Sequence, residues 1–211
     1  VNSVTNRIHV FHESESVWSV INGTNNSVTE TAINGHGFTK AGVNTDSAIP
    51  YAISPSPNTV FFGDTTLVYS VSGTNRLDRD SRPSDLAVSS AVEKIYITFE
   101  NADTVRVFDE DAGTATDVAT GGNPKRVFVS DSLNRVVVSN FDDDSLTVLN
   151  RTTNALVGTV TLTEGCGPKK ASAVSVGGTD YFYIVCESND TIERVNAASL
   201  AVQTPLSIRI P

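Results

Sequence analysis

The stretch VSDSLNRVVVSNFDDDSLTVLNRTTNALVGTVTL, residues 129 to 162, decides the fold because it recurs elsewhere in the chain. Residues 1 to 34, VNSVTNRIHVFHESESVWSVINGTNNSVTETAIN, align with it at a shift of 128 without a gap. Identical pairs at this shift include Asn6 and Asn134, Arg7 and Arg135, Val20 and Val148, and Asn22 and Asn150. A shift of 128 equals three units of about 43 residues, which indicates stacked supersecondary repeats.

Weaker copies fill the rest of the 211-residue chain. A copy from Val88 aligns at a shift of 41, another from Tyr183 aligns at a shift of 46, and a third, from Ile53, is shorter in its middle loop. The sequence therefore divides into five units followed by a C-terminal tail: residues 1–36, 46–80, 83–121, 124–164 and 168–206, and the tail 207–211.

Each unit reads as four short β runs separated by turn residues. The first run follows a proline in three units (Pro83, Pro124 and Pro168), and later runs such as 135–138 and 146–149 are β-branched and apolar. Four antiparallel strands in about 42 residues are typical of a propeller blade. We predict an all-β fold, a β-propeller of about five four-stranded blades, with almost no helix.

The segment 136–160 resembles the Tyr-Val-Thr-Asn (YVTN) β-propeller repeat. Val137-Val138-Ser139-Asn140 stands in place of the name motif, and residues 149–154, LNRTTN, resemble the Ile-Asp-Thr-Ala-Thr-Asn turn of that family. The resemblance implies a propeller related to bacterial and archaeal surface proteins, or to lactonase-like and cofactor-binding members. Family members usually close with seven blades, whereas five units are visible here.

The first unit lacks most of its innermost strand, so the ring is short by one strand. Three explanations stay open: the chain is a fragment of a longer, seven-bladed protein; its tail closes a compact five-bladed ring; or a neighbouring molecule supplies the strand. An unpaired strand edge favours pairing with another chain, which would build filaments unless the rotation closes. The alternating residues Leu206, Ile208 and Ile210 are the candidate donated strand.

The charge and hydropathy of the sequence limit the classes of partner that the protein could bind. The formal charge is −9, so nucleic acid would be repelled over most of the surface. The basic doublets Lys125-Arg126 and Lys169-Lys170 are too small to form a patch that would reverse this expectation. No apolar stretch approaches the roughly 20 residues that cross a bilayer, and no leader precedes Val1. We expect a protein partner, either a second copy or another surface protein, with no nucleic acid and no membrane span.

The cysteines and the glycosylation sequons bear on the cellular compartment in which the protein is found. Cys166 and Cys186 flank a predicted hairpin, and the sequence is equally compatible with a disulfide and with two buried thiols. Four Asn-X-Ser/Thr sequons are candidate glycosylation sites: Asn22, Asn25, Asn150 and Asn189. Together these features favour an extracellular or cell-surface location.

Acidic residues follow the second strand of each unit and should share one face of the propeller. The series comprises Glu13, Glu15, Asp64, Glu100, Asp103, Asp142, Asp143, Asp144, Glu187 and Asp190. Hard cations prefer clustered oxygen ligands, so Asp142, Asp143 and Asp144 are the candidate calcium site. The alternative is that these residues only solubilise turns and protect strand edges.

Catalytic patterns are absent from the sequence. The three histidines, His9, His12 and His36, all fall in the first unit, and no Gly-x-Ser-x-Gly elbow or phosphate loop occurs. A lactonase-like site would draw on Asn140, Asp64 and Glu100. We therefore predict a non-catalytic, extracellular structural or interaction module that could assemble into filaments, with no required cofactor except the candidate calcium. The alternative is an enzyme or cofactor-binding protein that uses the central channel.

Overall fold

The computed structural model describes residues 5–13, 17–32, 37–54, 59–62, 69–70 and 82–207. Within these ranges nineteen strands form five antiparallel sheets, one of three strands and four of four strands. Hydrogen-bonded neighbours follow chain order in every sheet, so each sheet is a simple meander. The all-β propeller prediction is confirmed, and the described residues contain no α-helix and a single 3-10 turn at Ser90–Val92.

The strands of the first two sheets end before residue 71. The first sheet contains β1 (Arg7–Phe11), β2 (Val17–Asn22) and β3 (Val28–Ala32). The second contains β4 (Lys40–Val43), β5 (Pro50–Ser54), β6 (Thr59–Phe62) and β7 (Tyr69–Ser70). The second sheet thus starts ahead of residue 46, where the repeat alignment placed the start of the second unit. The alignment did not include β4 because this strand does not begin with a proline, as β8, β12 and β16 do.

The other three sheets repeat one plan. The third contains β8 (Pro83–Ser89), β9 (Lys94–Phe99), β10 (Thr104–Asp109) and β11 (Thr114–Ala119). The fourth contains β12 (Pro124–Ser130), β13 (Arg135–Asn140), β14 (Ser145–Asn150) and β15 (Leu156–Thr161). The fifth contains β16 (Pro168–Val176), β17 (Thr179–Cys186), β18 (Thr191–Asn196) and β19 (Leu206–Ser207), with an added bridge between Val195 and Val202.

Turn residues explain why the strands reverse at repeated positions. A left-handed backbone recurs at equivalent hairpin positions, which asparagine, aspartate and glycine tolerate best. Asn6 and Asn134 occupy one such position with φ of 51° and 53°, and Asp103, Asp144 and Asp190 occupy another with φ of 49°, 45° and 55°. A third position, in the hairpin before the outermost strand, holds Asn26, Asn154 and Leu200 with φ of 57°, 60° and 59°, so the left-handed backbone is kept there even where the residue is a leucine.

Buried side chains lie between successive sheets and hold the blades face to face. One core cluster joins the first and second sheets, a second joins the second and third, a third joins the third and fourth, and the largest joins the fourth and fifth. The first strands β4, β8, β12 and β16 are neighbours in space, so they line the centre of the arc. Among the clusters that the described residues form, none joins the fifth sheet to the first.

The helical content offers no membrane anchor within the described part of the chain. None of its helical segments has the length and apolar character that crossing a bilayer requires.

Candidate functional site

The first strands of four successive sheets carry a charged residue at the same register position. Each lies opposite a residue one step from the end of the second strand: Lys40 opposite Ile53, Asp85 opposite Thr98, Arg126 opposite Ser139, and Lys170 opposite Val185. A β-bulge after the proline precedes this position in the third, fourth and fifth sheets. Because bulges redirect side chains, the repeat brings these charges to one level of the channel.

A cavity of about 430 Å³ opens at this level. Its charged side chains are Lys40, Asp85, Arg126, Lys169 and Lys170. Its apolar wall comes from the wedge between the fourth and fifth sheets and includes Val127, Phe128, Val137 and Ala171. The two basic doublets therefore each contribute to one site, although they are separated by more than forty residues in sequence.

Among the described residues that line this cavity, Asp85 is the only acidic one. It is 8% exposed, and its Oδ2 accepts a hydrogen bond of 3.2 Å from the backbone N–H of Val127 in the next sheet. Burial raises the pKa of the Asp85 carboxyl, while the Val127 hydrogen bond and the nearby Arg126 and Lys40 charges act in the opposite direction. Asp85 thus links two inner strands and partly balances the cations around it.

Arg126 is held by the backbone next to it. Its Nη1 donates to the carbonyl oxygens of Lys125, at 3.1 Å, and of Ser84, at 3.4 Å. The Ser84 hydroxyl in turn donates to the carbonyl oxygen of Pro124 at 2.6 Å. These contacts connect β8 to β12, so the guanidinium is positioned before any ligand arrives.

Lys125 and Lys169, which lie at the bulges of β12 and β16, differ from Arg126 and Lys170 in their ion pairs. Lys125 forms an ion pair of 3.0 Å with Glu100, and Lys169 forms one of 2.8 Å with Glu187. Lys40, Arg126 and Lys170 form no ion pair with any carboxylate in the described ranges. The cavity consequently keeps an excess of positive charge in a protein whose overall charge is −9.

Ser139 adds an unsatisfied hydroxyl to the cavity wall. The residue is 1% exposed, and its Oγ has no hydrogen-bond partner within the described structure. Thr98, at the same position of the third sheet, shares a 2.8 Å hydrogen bond with the Ser84 hydroxyl. A buried polar group without a partner is costly, so Ser139 marks a place where a ligand atom or water would be stabilised.

The acidic series on the loops has a structural function in this fold. The carboxylate of Asp144 accepts hydrogen bonds of 2.7 Å from the N–H groups of Gly165 and Gly167, and Asp103 accepts one of 2.8 Å from the N–H of Asn123. Both aspartates therefore tie a hairpin of one sheet to the segment that leads into the next sheet.

The other two members of the triplet bond in the opposite direction along the chain. Asp143 accepts from the Gly122 N–H at 2.8 Å, and Asp142 accepts from the Asn123 side chain at 3.0 Å. The structure does not bring Asp142, Asp143 and Asp144 together as a ligand set, since their hydrogen bonds go to segments on either side of the fourth sheet. Calcium binding there stays a prediction from sequence.

Cys166 and Cys186 are joined by a disulfide with a Cα–Cα distance of 4.5 Å. Their sulfurs lie within 4.8 Å of a carboxylate oxygen of Glu193, which is fully buried. The sulfurs are bonded to each other and are not free thiolates, so this group is not a metal site in the oxidised protein. Glu193 instead accepts a 2.7 Å hydrogen bond from the N–H of Thr163.

The asparagines of all four sequons accept hydrogen bonds close by in the chain. Asn22, Asn25 and Asn150 accept from the backbone N–H two residues onward, and Asn189 accepts from the Thr191 hydroxyl. The same turn is made at Asn196, which is not in a sequon. Turn geometry therefore accounts for the recurrence of asparagine, and glycosylation stays a prediction.

Of the lactonase-like candidates, neither Asn140 nor Glu100 lines the cavity. Asn140 is fully buried and donates through Nδ2 to the Ser145 and Thr147 hydroxyls, Glu100 pairs with Lys125, and Asp64 lies outside the described residues. Among the histidines, His9 stacks against Trp18 at 5.5 Å and His12 shares a 2.9 Å hydrogen bond with the Ser19 hydroxyl. His36 also lies outside the described residues.

The two terminal sheets expose apolar rows on their outward faces. In the fifth sheet Val185 pairs with Ile192, which pairs with Leu206; Val185 is 43% exposed and Leu206 is 48% exposed. The equivalent row of the fourth sheet contains Leu146 and Val160, which are 0% and 3% exposed. Leu206 thus belongs to the protein's own outer strand, while Ile208 and Ile210, the other members of the candidate donated strand, lie outside the described residues.

The first sheet shows the same contrast on its outward face. Ile8 pairs with Ile21, which pairs with Val28, and Ile8 is 37% exposed. Val136, the repeat equivalent of Ile8, is fully buried between the third and fourth sheets. The inner edge of β1 is also unpaired within the described residues, as the three-stranded order of this sheet shows.

Comparison with known proteins supports the fold alone. No family model and no curated protein matches the chain. Similar solved structures include the dihydro-heme d1 dehydrogenase NirN in complex with DHE, with a TM-score of 0.80 and 12% identity over 95% of this chain and 44% of that one. The chain therefore spans less than half the length of that protein.

Two further structures are similar over nearly all of this chain. A chain of the nidogen/laminin complex has a TM-score of 0.67 and 11% identity over 98% of this chain and 78% of that one. A functionally unknown protein from Desulfotomaculum acetoxidans has a TM-score of 0.66 and 17% identity over 96% of this chain and 67% of that one. Fold and blade pattern define a β-propeller module; of the similar structures, one was solved in complex with DHE and another belongs to the nidogen/laminin complex.

Proposed function

We propose that the chain is a non-catalytic propeller module of the cell surface or extracellular space that associates with a second copy of itself through its two terminal sheets. The observation that carries this proposal is the pair of exposed apolar rows, Val185–Ile192–Leu206 and Ile8–Ile21–Val28, on the outward faces of those sheets. The equivalent positions of the fourth sheet, among them Val136, Leu149 and Leu146, are buried by a neighbouring blade, except for Leu156, the equivalent of Val28, which is 59% exposed.

Repeat symmetry indicates how two copies would fit. The outward face of the fifth sheet is equivalent to the face of the fourth sheet that packs against the fifth, and the outward face of the first sheet is equivalent to a face buried between the third and fourth. Placing the fifth sheet of one copy on the first sheet of the next would therefore reproduce an interblade interface. Such head-to-tail packing builds a filament unless the rotation closes it.

Charge is complementary between the two faces. The face of the fifth sheet carries Lys170 and Arg194, whereas the face of the first sheet carries Glu30. Complementary charge steers and orients association more than it strengthens it. The unpaired edge of β1 would accept a strand at the same junction, and the tail after Leu206 is the segment that could provide it.

An oxidising location agrees with the disulfide between Cys166 and Cys186, which links the start of the fifth sheet to the end of β17. The motif-level resemblance to the YVTN repeat, whose members include surface proteins, supports the same location.

Sedimentation velocity on the purified chain tests the self-association. We expect a concentration-dependent increase in mass for the unmodified protein, and Leu206→Glu, which places a carboxylate on the apolar row, should shift it to monomer. Leu156→Glu is the matched control, because Leu156 is 59% exposed on the outer strand of the fourth sheet, away from both terminal faces. Removing residues 208–211 then separates strand donation from face packing.

Two outcomes would overturn the proposal. One is a monodisperse monomer up to about 0.1 mM, a concentration at which even a weak specific interface is populated. The other is an equal loss of association in Leu206→Glu and Leu156→Glu, which would point to general solubility rather than to the terminal face.

A second candidate is a cofactor-binding or lactonase-like propeller that uses the channel. The observation that favours it is the charged cavity of about 430 Å³ between the inner strands, a size in the range of small-molecule sites. The fold shared with NirN, which was solved in complex with DHE, shows that one propeller of similar architecture is found with a small molecule. Turnover of lactones that is lost in Asp85→Asn would support catalysis.

A further inference from the structure

We propose that the channel cavity binds a small multivalent oxyanion, with at least two negative oxygens carried on phosphate or carboxylate groups. The cavity lies at the centre of the arc, whereas the apolar rows lie on the outward faces of the terminal sheets. Lys170 belongs to both, since it lines the cavity and pairs with Val185 of the fifth-sheet row, so Arg126→Gln is the variant that separates anion binding from self-association. None of the functional motifs predicted from sequence includes it.

Charge selects the ligand class. Lys40, Arg126 and Lys170 face the cavity without an ion-pair partner among the described residues, and Asp85 is the single opposing carboxylate. The fourth cation, Lys169, is balanced by Glu187. Three uncompensated cations against one carboxylate favour an anion with more than one charge.

The positions of Arg126 and Ser139 provide hydrogen-bond donors for a bound oxyanion. Arg126 uses Nη1 on two carbonyl oxygens, and no described acceptor bonds to its Nη2 or Nε, which leaves donors for a bidentate contact with a planar or tetrahedral oxyanion. The buried Ser139 hydroxyl lies opposite Arg126 in the strand register and has no partner of its own. One ligand oxygen could satisfy both groups.

The channel wall limits the size and hydration of the ligand. The cavity of about 430 Å³ suits a small molecule and not a folded partner. Val127, Val137 and Ala171 are nearly inaccessible, with exposures of 7%, 1% and 8%, so they exclude water from one side of the site. Reduced hydration strengthens each charge-assisted hydrogen bond relative to the same contact on an open surface.

The experiment is isothermal titration of the full chain with inorganic pyrophosphate and, separately, with citrate, at low ionic strength. We expect saturable binding with one site for at least one of these anions, weakened by added sodium chloride. Binding of pyrophosphate alone would assign a phosphate ligand, binding of citrate alone a carboxylate ligand, and binding of both a general multivalent anion site. Each of these results supports the proposal.

Variants localise the site. Arg126→Gln and Lys170→Gln should each weaken binding by about tenfold, the loss of one charge-assisted contact. Lys125→Gln is the matched control, since Lys125 is next to Arg126, carries the same charge and is directed to Glu100. It should change affinity by less than about threefold.

Two results would overturn the inference: no saturation by either anion up to about 10 mM, or an equal loss of affinity in Lys125→Gln and Lys170→Gln. Near-ultraviolet circular dichroism checks each variant for folding. If Arg126→Gln proves unfolded, Lys170→Gln decides the question, because Lys170 is exposed and forms no ion pair with a carboxylate of the described residues.

Discussion

The fourth sheet is covered on both faces, whereas the fifth sheet is covered on one. In the fourth, Val136 and Val138 face the third sheet, Val137 faces the fifth, and all are at most 1% exposed. In the fifth, Phe182 and Ile184 are fully buried against the fourth sheet, while Val185 on the other face is 43% exposed. The outward face nevertheless carries the apolar row Val185–Ile192–Leu206, beside the charged residues Lys170 and Arg194.

This difference in burial between the fourth and fifth sheets indicates that each blade depends on its neighbours for stability. In stacked repeats each unit buries its faces only against adjacent units, so stability is a sum of unit and interface contributions. The interior interfaces should therefore carry most of the free energy of unfolding, and the terminal sheets should tolerate change. Four experiments test this difference between interior and terminal sheets.

The largest effect should come from deleting a side chain inside an interior interface. Leu149 is fully buried between the third and fourth sheets, so Leu149→Ala should lower the free energy of unfolding by about 2–5 kcal/mol. Leu206→Ala, on the terminal face, should change it by less than about 0.5 kcal/mol in dilute monomer. Urea unfolding measures both, and similar losses in the two variants would contradict the contrast.

The next effect concerns the disulfide at the junction of the fourth and fifth sheets. The Cys166–Cys186 bond closes a loop with a sequence separation of 20, so replacing both cysteines with alanine should destabilise the protein by about 2–4 kcal/mol. Hydrogen exchange should show faster opening in β16 and β17 than in β8 and β9. Uniform acceleration across all sheets would argue against a terminal sheet of separate stability.

Smaller effects should follow loss of the aspartates that tie one sheet to the next. Asp144→Ala removes acceptors for two backbone N–H groups and should cost about 1–2 kcal/mol, while Asp103→Ala removes one and should cost about half as much. Asp144→Asn keeps one side-chain carbonyl oxygen and should fall between them. Thermal unfolding in a chelator separates this effect from any bound calcium, since the losses should persist without metal.

The smallest effect should be a pH dependence from Asp85. Burial raises its pKa in the folded protein above the usual value of 3.8, so the folded state binds more protons between these two values. Its contribution to stability is therefore present at low pH and is lost as the pH rises through the folded pKa. The free energy of unfolding of wild type minus that of Asp85→Asn should fall as the pH rises from about 4 towards neutrality. A difference that rises with pH would show that Arg126 and Lys40 outweigh burial.

Sequence reasoning predicted the blades well and the site poorly, for separable reasons. Strand runs, the prolines at Pro83, Pro124 and Pro168, and the turn residues at positions such as Asn134 are local signals, and they recur with the repeat. The cavity brings together residues that are far apart in the chain. Arg126 and Lys170 each belong to a short basic doublet that has no evident function in the sequence, and only the β-bulges place the two side chains at one level of the channel. The register equivalence of Arg126 and Lys170, two residues after a proline, was the signal that could have revealed them.

The acidic loops show what adjacency in the sequence leaves open. Asp142, Asp143 and Asp144 are adjacent in sequence, which suggested a common ligand, but their carboxylates bond to segments on two sides of the fourth sheet. Adjacency along a turn does not ensure convergence, because successive side chains leave the backbone in different directions.

The sequence alone specified the repeat, the all-β class and the number of units, because hydrophobic alternation and turn chemistry act between residues that are near in the chain. Which charges share the channel, which carboxylates bond to which backbone, and which apolar faces lack a neighbour among the described residues became evident only from the tertiary structure. Those properties depend on how one sheet is rotated and placed against the next, a relation between residues about forty positions apart that no local pattern specifies.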